Sequence, residues 1–211
     1  MDLFDIRRDF SLKTLDESDV LADPLEMLAL WIDNAMEAEA LEPNAMTLST
    51  VSAEGKPSSR VVLLKELKPV GLVFFTNYDS RKGREIETNR YAAVNFIWHE
   101  LERQVRVEGI ISKLSEVESD TYYNIRPRDS RIGAWASPQS QIIPNRQYLE
   151  ERVSNYAKEF EGKEINRPAN WGGYIIEPEL IEFWQGRKNR LHDRIEYKKE
   201  AGIWVTKRLA P

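Results

Sequence analysis

At about residue 45 the hydrophobic pattern changes period, and that change limits the architectures open to this chain more than any other feature. Before it, Asp23-Pro24 supplies a helix cap followed by proline at the first helical position. Leu25, Leu28, Ile32 and Ala35 then recur at helical spacing, so an amphipathic helix is expected to about Ala40. After it come short stretches of strand character. Residues 46–52 and 59–65 flank Glu54-Gly55-Lys56-Pro57 as a hairpin, and 71–76 reads as a buried apolar strand. Residues 91–98 and 103–111 are further strands, the second placing Val105, Val107 and Ile111 opposite Gln104, Arg106 and Glu108. Residues 171–176, 190–197 and 203–207 supply the last strands. Helices are expected from Ser80 to about Asn89, from the capping box Ser115-x-x-Glu118 to about Ile125, and around Leu149, Val153, Tyr156 and Phe160. Helices inserted between mostly antiparallel strands give an α+β fold, with the sheet expected to close into a barrel. Residues 1–22 are charged and weakly periodic, a mobile N-terminal arm or lid, and 23–211 read as one domain.

The 211 residues carry a net charge of −5, which argues against bulk nucleic-acid or acidic-membrane partners, so any cationic site must be local. No cysteine is present, which removes disulfides, thiol catalysis and a cysteinyl flavin link. With His99 and His192 the only histidines, no metal site is expected. The first residues lack an apolar signal segment, and no apolar run is long enough to span a bilayer, so a cytoplasmic protein is expected.

Signatures of dinucleotide-binding dehydrogenases, P-loop enzymes, zinc proteases and α/β-hydrolases are all absent. What remains is a set of cationic clusters. Arg60 and Lys65 bracket Val61-Val62-Leu63-Leu64, a buried strand with a basic residue at each mouth. Ser80-Arg81-Lys82-Gly83 places two cations at a helix start, a favourable place for phosphate. Arg126-Pro127-Arg128-Asp129-Ser130 offers charge-assisted bonds to a second phosphate, or an Arg–Asp surface network. On a strand over 190–197, Arg190, His192 and Arg194 would project from one face, suited to an anionic ligand. Each cluster alone also fits a solvated surface. Together they point to two anionic ligands, such as a phosphorylated cofactor and a phosphorylated substrate.

The chain resembles the pyridoxine/pyridoxamine 5′-phosphate oxidase family. The resemblance rests, in order, on Arg60 to Lys65, Phe74-Phe-Thr-Asn77, Ser80-Arg-Lys82, Leu101-Glu-Arg-Gln-Val105, Arg126 to Ser130, Gly133-Ala-Trp135, Glu182-Phe-Trp-Gln-Gly186 and Arg190-Leu-His-Asp-Arg194. It covers nearly the whole chain, down to the closing Arg208-Leu-Ala-Pro211. It implies an FMN-binding split β-barrel, mostly antiparallel with peripheral helices, working as a homodimer with FMN at the subunit interface. It also implies oxidation of pyridoxine 5′-phosphate or pyridoxamine 5′-phosphate to pyridoxal 5′-phosphate, with oxygen reduced to hydrogen peroxide. By motif, the implied FMN contacts are Arg60, Val61, Val62, Leu63, Leu64, Lys65, Phe75, Thr76, Arg81, Lys82, Gln104, Gln139, Ser140, Trp184 and Arg194. The implied substrate contacts are Lys65, Tyr122, Arg126, Ser130, Arg190, Leu191 and His192, under a lid of Arg7, Arg8, Asp9 and Phe10. Arg190 and His192 are the implied catalytic pair. Phe10 departs from the tyrosine frequent at that position, keeping the ring without the hydroxyl.

Overall fold

A computed structural model describes residues 1–5 and 9–211, so Arg7 and Arg8 of the expected lid lie outside the described residues. Helix α1 (Pro24–Glu37) starts where Asp23 accepts a hydrogen bond from the Leu25 N–H at 2.7 Å. Its apolar stripe, including Leu28, Trp31 and Ala35, is buried, and Trp31 meets Phe183 edge to face at 5.0 Å. Strands β1 (Ala45–Val51) and β2 (Pro57–Leu63) form the expected hairpin, followed by the short β3 (Glu66–Lys68) and by β4 (Gly71–Asn77). Helix α2 (Arg81–Thr88) separates β4 from β5 (Tyr91–Trp98) and β6 (Arg103–Lys113). Three helices then run together: α3 (Glu116–Ile125), α4 (Arg128–Ala136) and α5 (Arg146–Glu159). The chain ends in β7 (Trp171–Gln185), β8 (Asp193–Glu200) and β9 (Ile203–Leu209).

The strands form one antiparallel sheet in the order β2-β1-β5-β6-β7-β4-β3, with the β8–β9 hairpin branching from β7. The first and last members of that path are joined by Leu64 and Lys65 alone. Leu64 N–H donates to Asn44 O and Lys65 N–H to Val73 O, each at 2.8 Å, so the chain leaves one edge and enters the other at this corner. The sheet curls round on itself there, a split-barrel architecture. Its interior is filled by Leu48, Leu72, Phe74, Phe96, Val105, Val107, Ile111, Ile176, Ile181 and Phe183. The expected alternation of β6 holds, with Val105, Val107 and Ile111 inside.

Three expectations need correction, and one helix was not foreseen. The strand expected over 171–176 continues for 15 residues to Gln185. Pro178, which has no N–H to donate, sits where the β6 register shifts between Glu108 and Gly109, so the pairing absorbs it as a bulge. The strand expected over 190–197 begins only at Asp193, because Asn189 and Arg190 take left-handed conformations at φ 57° and 61°. Arg190, exposed and off the strand, therefore does not share a strand face with His192 and Arg194. Residues 128–136, to which the sequence pattern assigned no element, form helix α4, started by Pro127. Finally, β2 is half exposed rather than buried, with Val61 66% accessible, because it is paired only to β1.

At Gly109 an added Cβ would run into the Glu177 carbonyl and, at 2.9 Å, Pro178 Cα, which are backbone atoms with no freedom to yield. Gly109→Ala is expected to cost about 1–3 kcal/mol, read as a lower urea midpoint at unchanged m-value.

Candidate active site

The first cluster forms where β1, β2, β4 and α2 meet. Arg60 turns back across the hairpin, donating to Thr50 Oγ1 and Ser58 Oγ at 2.5 Å each and lying 3.3 Å from Glu85 Oε2. Glu85, buried on α2, also accepts from Thr50, Ser58 and Arg81. Burial opposes its ionisation, yet these donors hold its carboxyl down to about 2. Ser80 caps α2 through the Gly83 N–H and sets Lys82 pointing inward. Lys82 is 8% accessible, and its ammonium donates to Thr76 Oγ1 at 3.1 Å, Ser80 Oγ at 3.3 Å and Gln139 Oε1 at 3.0 Å. All three partners are neutral. Burial, with a smaller push from Arg60, lowers the amine to about 8. Arg81 is more open and pairs with Glu85 at 2.8 Å.

A second group adjoins the first through Gln139. Phe75 and Tyr122 stack at 3.9 Å, with Trp171 nearly parallel to both. The Arg126 guanidinium lies 4.4 Å above Trp171, and its Nη1 is buried without a hydrogen-bond partner. Arg126, Ser130, Asn77 and Gln139 help line a cavity of 290 Å³. The alternative of an Arg–Asp surface network does not describe this segment. Arg128 instead spends its guanidinium on the Phe160 and Lys163 carbonyls, at 2.5 and 3.3 Å, fastening α4 to the end of α5. Lys65 is exposed at the β2–β3 corner, and Ser140 is exposed with φ 67°.

The third group lies on the far half of β7. Gln104, Trp184 and Arg194 are direct cross-strand partners on β6, β7 and β8, so their side chains share one face. Arg194 is held there by a two-pronged pair with buried Glu182, at 3.0 and 2.9 Å. His192 packs on Trp184 at 4.5 Å, and Phe10 sets its ring edge-on to both, at 5.8 and 5.7 Å. Gly186 leaves the space that Phe10 fills. Backbone N–H groups of Ser11 and Leu12 donate to the Glu102 carboxylate at 2.7 and 3.0 Å, fastening this stretch over the site. Asp9 and Leu191 are exposed nearby. His192 Nδ1 accepts the Arg187 N–H at 3.1 Å; burial and Arg190 lower its basicity, against the pull of Asp193.

Within one chain these groups do not all converge. Thr76, which touches Lys82, pairs with Gly172, whereas Gln104 pairs with Trp184, twelve residues further along β7. At about 3.3 Å per residue that is up to about 40 Å along the strand. Sequence reasoning missed Glu85 and Trp171. The i,i+4 spacing of Arg81 and Glu85 on α2 was the available signal for the first.

Comparison with known proteins places the chain in a family. Residues 32–158 match the family described as pyridoxamine 5′-phosphate oxidase, and residues 171–211 the pyridoxine 5′-phosphate oxidase C-terminal dimerisation region. The chain belongs to the pyridoxine/pyridoxamine 5′-phosphate oxidase family. Among its relatives, the pyridoxine/pyridoxamine 5′-phosphate oxidase of Ralstonia pickettii is 54% identical over 208 residues, covering 98% of each chain. That of Microcystis aeruginosa is 51% identical, covering 98% of this chain and 97% of the relative. The crystal structure of PhzG from Burkholderia lata, in complex with tetrahydrophenazine-1-carboxylic acid, superposes with a TM-score of 0.90 at 30% identity, covering 95% of this chain and all of PhzG. A pyridoxamine 5′-phosphate oxidase-related, FMN-binding protein from Nostoc punctiforme shares the fold, with a TM-score of 0.67 at 16% identity over 93% of this chain and 98% of the other.

Because Lys82 falls from 10.5 to about 8 on folding, the unfolded chain binds more protons between those values. Stability of the FMN-free protein should therefore rise with pH across that window. In Lys82→Met the rise should shrink, measured by urea unfolding at pH 8, 9 and 10.

Proposed function

We propose that this chain makes pyridoxal 5′-phosphate by oxidising pyridoxine 5′-phosphate or pyridoxamine 5′-phosphate, with FMN as cofactor and oxygen as acceptor, in vitamin B6 biosynthesis and salvage. The observation that carries the reading is a pair of buried cationic groups with no anionic partner among the described residues, Lys82 and the Arg126 Nη1, on either side of Gln139. Buried charges are ordinarily paired. Two phosphates, one on the cofactor and one on the substrate, would complement both cations. Relatives that carry this oxidase name are half identical over nearly the full chain, which puts the chemistry in the same class.

FMN fits the first cluster: Arg60, Arg81 and Lys82 would take its phosphate, with Lys65, Thr76, Gln139 and Ser140 beside it. Val61 to Leu64 and Phe75 would follow its length. Gln104, Trp184 and Arg194 sit too far along β7 to join them within one chain, so these would come from a second copy in a homodimer. The matched C-terminal dimerisation region supports that arrangement. When bound, FMN supplies the two-electron acceptor for the substrate carbon and passes the electrons on to oxygen. Alcohol and oxygen then give aldehyde and hydrogen peroxide; the amine also takes up one water and releases ammonia.

The chain's own residues bind and orient. Lys65, Tyr122, Arg126 and Ser130 would clamp the substrate phosphate, fixing the other end of the molecule against the redox centre. A guanidinium offers donors and no acceptor, so the part of Arg190 would be to orient the substrate. His192 is held neutral with Nδ1 already accepting the Arg187 N–H, which leaves Nε2–H as a hydrogen-bond donor to the substrate's oxygen or nitrogen. Phe10, with Asp9 and Leu191 at the rim and Arg7 and Arg8 before it, would cover the site and exclude water. The cytoplasmic location expected from the sequence is part of this reading.

Aerobic turnover with added FMN tests it. Pyridoxal 5′-phosphate and peroxide should form together from the phosphorylated alcohol and not from pyridoxine. Arg126→Met should raise KM for the phosphorylated substrate by about 10- to 100-fold, the worth of a hydrogen bond to a charge. Unchanged turnover in both Arg190→Met and His192→Asn would remove that pair from the site.

A further inference from the structure

Two charged side chains beside His192 have no part in the reading above. Arg187 follows β7, and Asp193 opens β8. Between them the loop passes through two consecutive left-handed residues, Asn189 and Arg190, a conformation that non-glycine residues hold only when their surroundings enforce it. Residue 187 is tied across this loop twice. Its backbone N–H donates to His192 Nδ1 at 3.1 Å, and its guanidinium Nη1 reaches Asp193 Oδ2 at 2.6 Å. Asp193 is itself anchored: Oδ2 also accepts the Leu15 N–H at 3.1 Å, and Oδ1 accepts from Arg208 at 2.9 Å. Its carboxylate is mostly buried, with a side-chain accessibility of 14%.

We propose that the Arg187–Asp193 ion pair is a positioning device for His192. By pinning residue 187 to a fixed carboxylate it keeps the backbone N–H on Nδ1, which favours the neutral imidazole and leaves its proton on Nε2. The direction in which His192 offers its hydrogen bond is then set by an ion pair that touches neither substrate nor cofactor. Among the described residues, the charges facing the imidazole are Arg190 from the loop and Asp193 from β8, while β7 and the arm present the rings of Trp184 and Phe10. The inference rests on the assignment of His192 to the substrate only for its effect on turnover, and the experiment separates the two.

The test is an imidazole NMR titration of the full-length protein with bound FMN, in wild type, Arg187→Ala and Arg187→Lys. His99 and His192 are the only histidines, so a His99→Gln background leaves one signal. Losing the guanidinium removes a nearby cation, frees the Asp193 charge and loosens the N–H on Nδ1, and all three raise the His192 midpoint. Arg187→Ala should raise it by about 0.5–1 unit, lower kcat about 10-fold at nearly constant KM and carry the acid limb of kcat to higher pH. Arg187→Lys, which keeps a cation on Asp193, should recover most of both effects. The Arg187 side chain is 37% accessible, so its truncation leaves the core intact. An unmoved midpoint in Arg187→Ala overturns the device. A raised midpoint with unaltered turnover upholds the device and overturns the placement of His192 on the substrate.

Discussion

Everything in this molecule depends on β7 pairing with different partners along its two halves. Its first half lies between β4 and the end of β6, inside the barrel; its second half lies between the start of β6 and β8, outside the path that closes the barrel. The change of partner falls at the bulge opposite Pro178, where the ladder can lose a donor without leaving a buried group unpaired. One continuous strand thus carries Gly172, beside the Lys82 cluster, and Trp184, at the centre of the Gln104–Arg194 row. The spacing of those two groups follows from backbone geometry rather than from side-chain packing.

The electrostatics divide along the same line. On the first half, Glu85 neutralises Arg60 and Arg81, while buried Lys82 donates to the neutral oxygens of Thr76, Ser80 and Gln139. On the second half the charges are satisfied internally, Arg194 by Glu182 and Arg208 by Glu17 and Asp193. The proposed anionic ligands would meet their least satisfied cations at Lys82 and Arg126, whereas Arg194 would meet its ligand already held by Glu182. Arg126 and Arg128 illustrate the contrast two residues apart: one guanidinium nitrogen is buried and orphaned, while the other guanidinium caps helix carbonyls.

Much of this was legible in the chain. Period-two patterning located β1, β5 and β6 closely, and capping residues located α1, α2 and α3, because these signals arise from local geometry. The resemblance named Thr76, Lys82 and Gln139 together as cofactor contacts, and their side chains hydrogen-bond to one another. Local pattern failed where tertiary context decides. Pro178 and the charged residues around it hid the continuation of β7, since a bulge is a property of the partner strand as much as of its own sequence. The alternation of Arg190, His192 and Arg194 suggested a strand, but the left-handed Asn189 and Arg190 break it, and periodicity carries no trace of φ. The helix of Arg128–Ala136 was obscured by Gly133 and by the proline that in fact starts it.

The strand-long separation along β7 has a genetic consequence. If each catalytic centre is assembled as proposed, from the Lys82 end of one chain and the Trp184 end of another, two loss-of-function alleles need not be equivalent. A chain damaged near Lys82 and a chain damaged near His192, paired in one dimer, would place both lesions in one centre and leave the other intact. Alleles hitting opposite ends of β7 would complement each other in a cell that expresses both, while alleles hitting the same end would not.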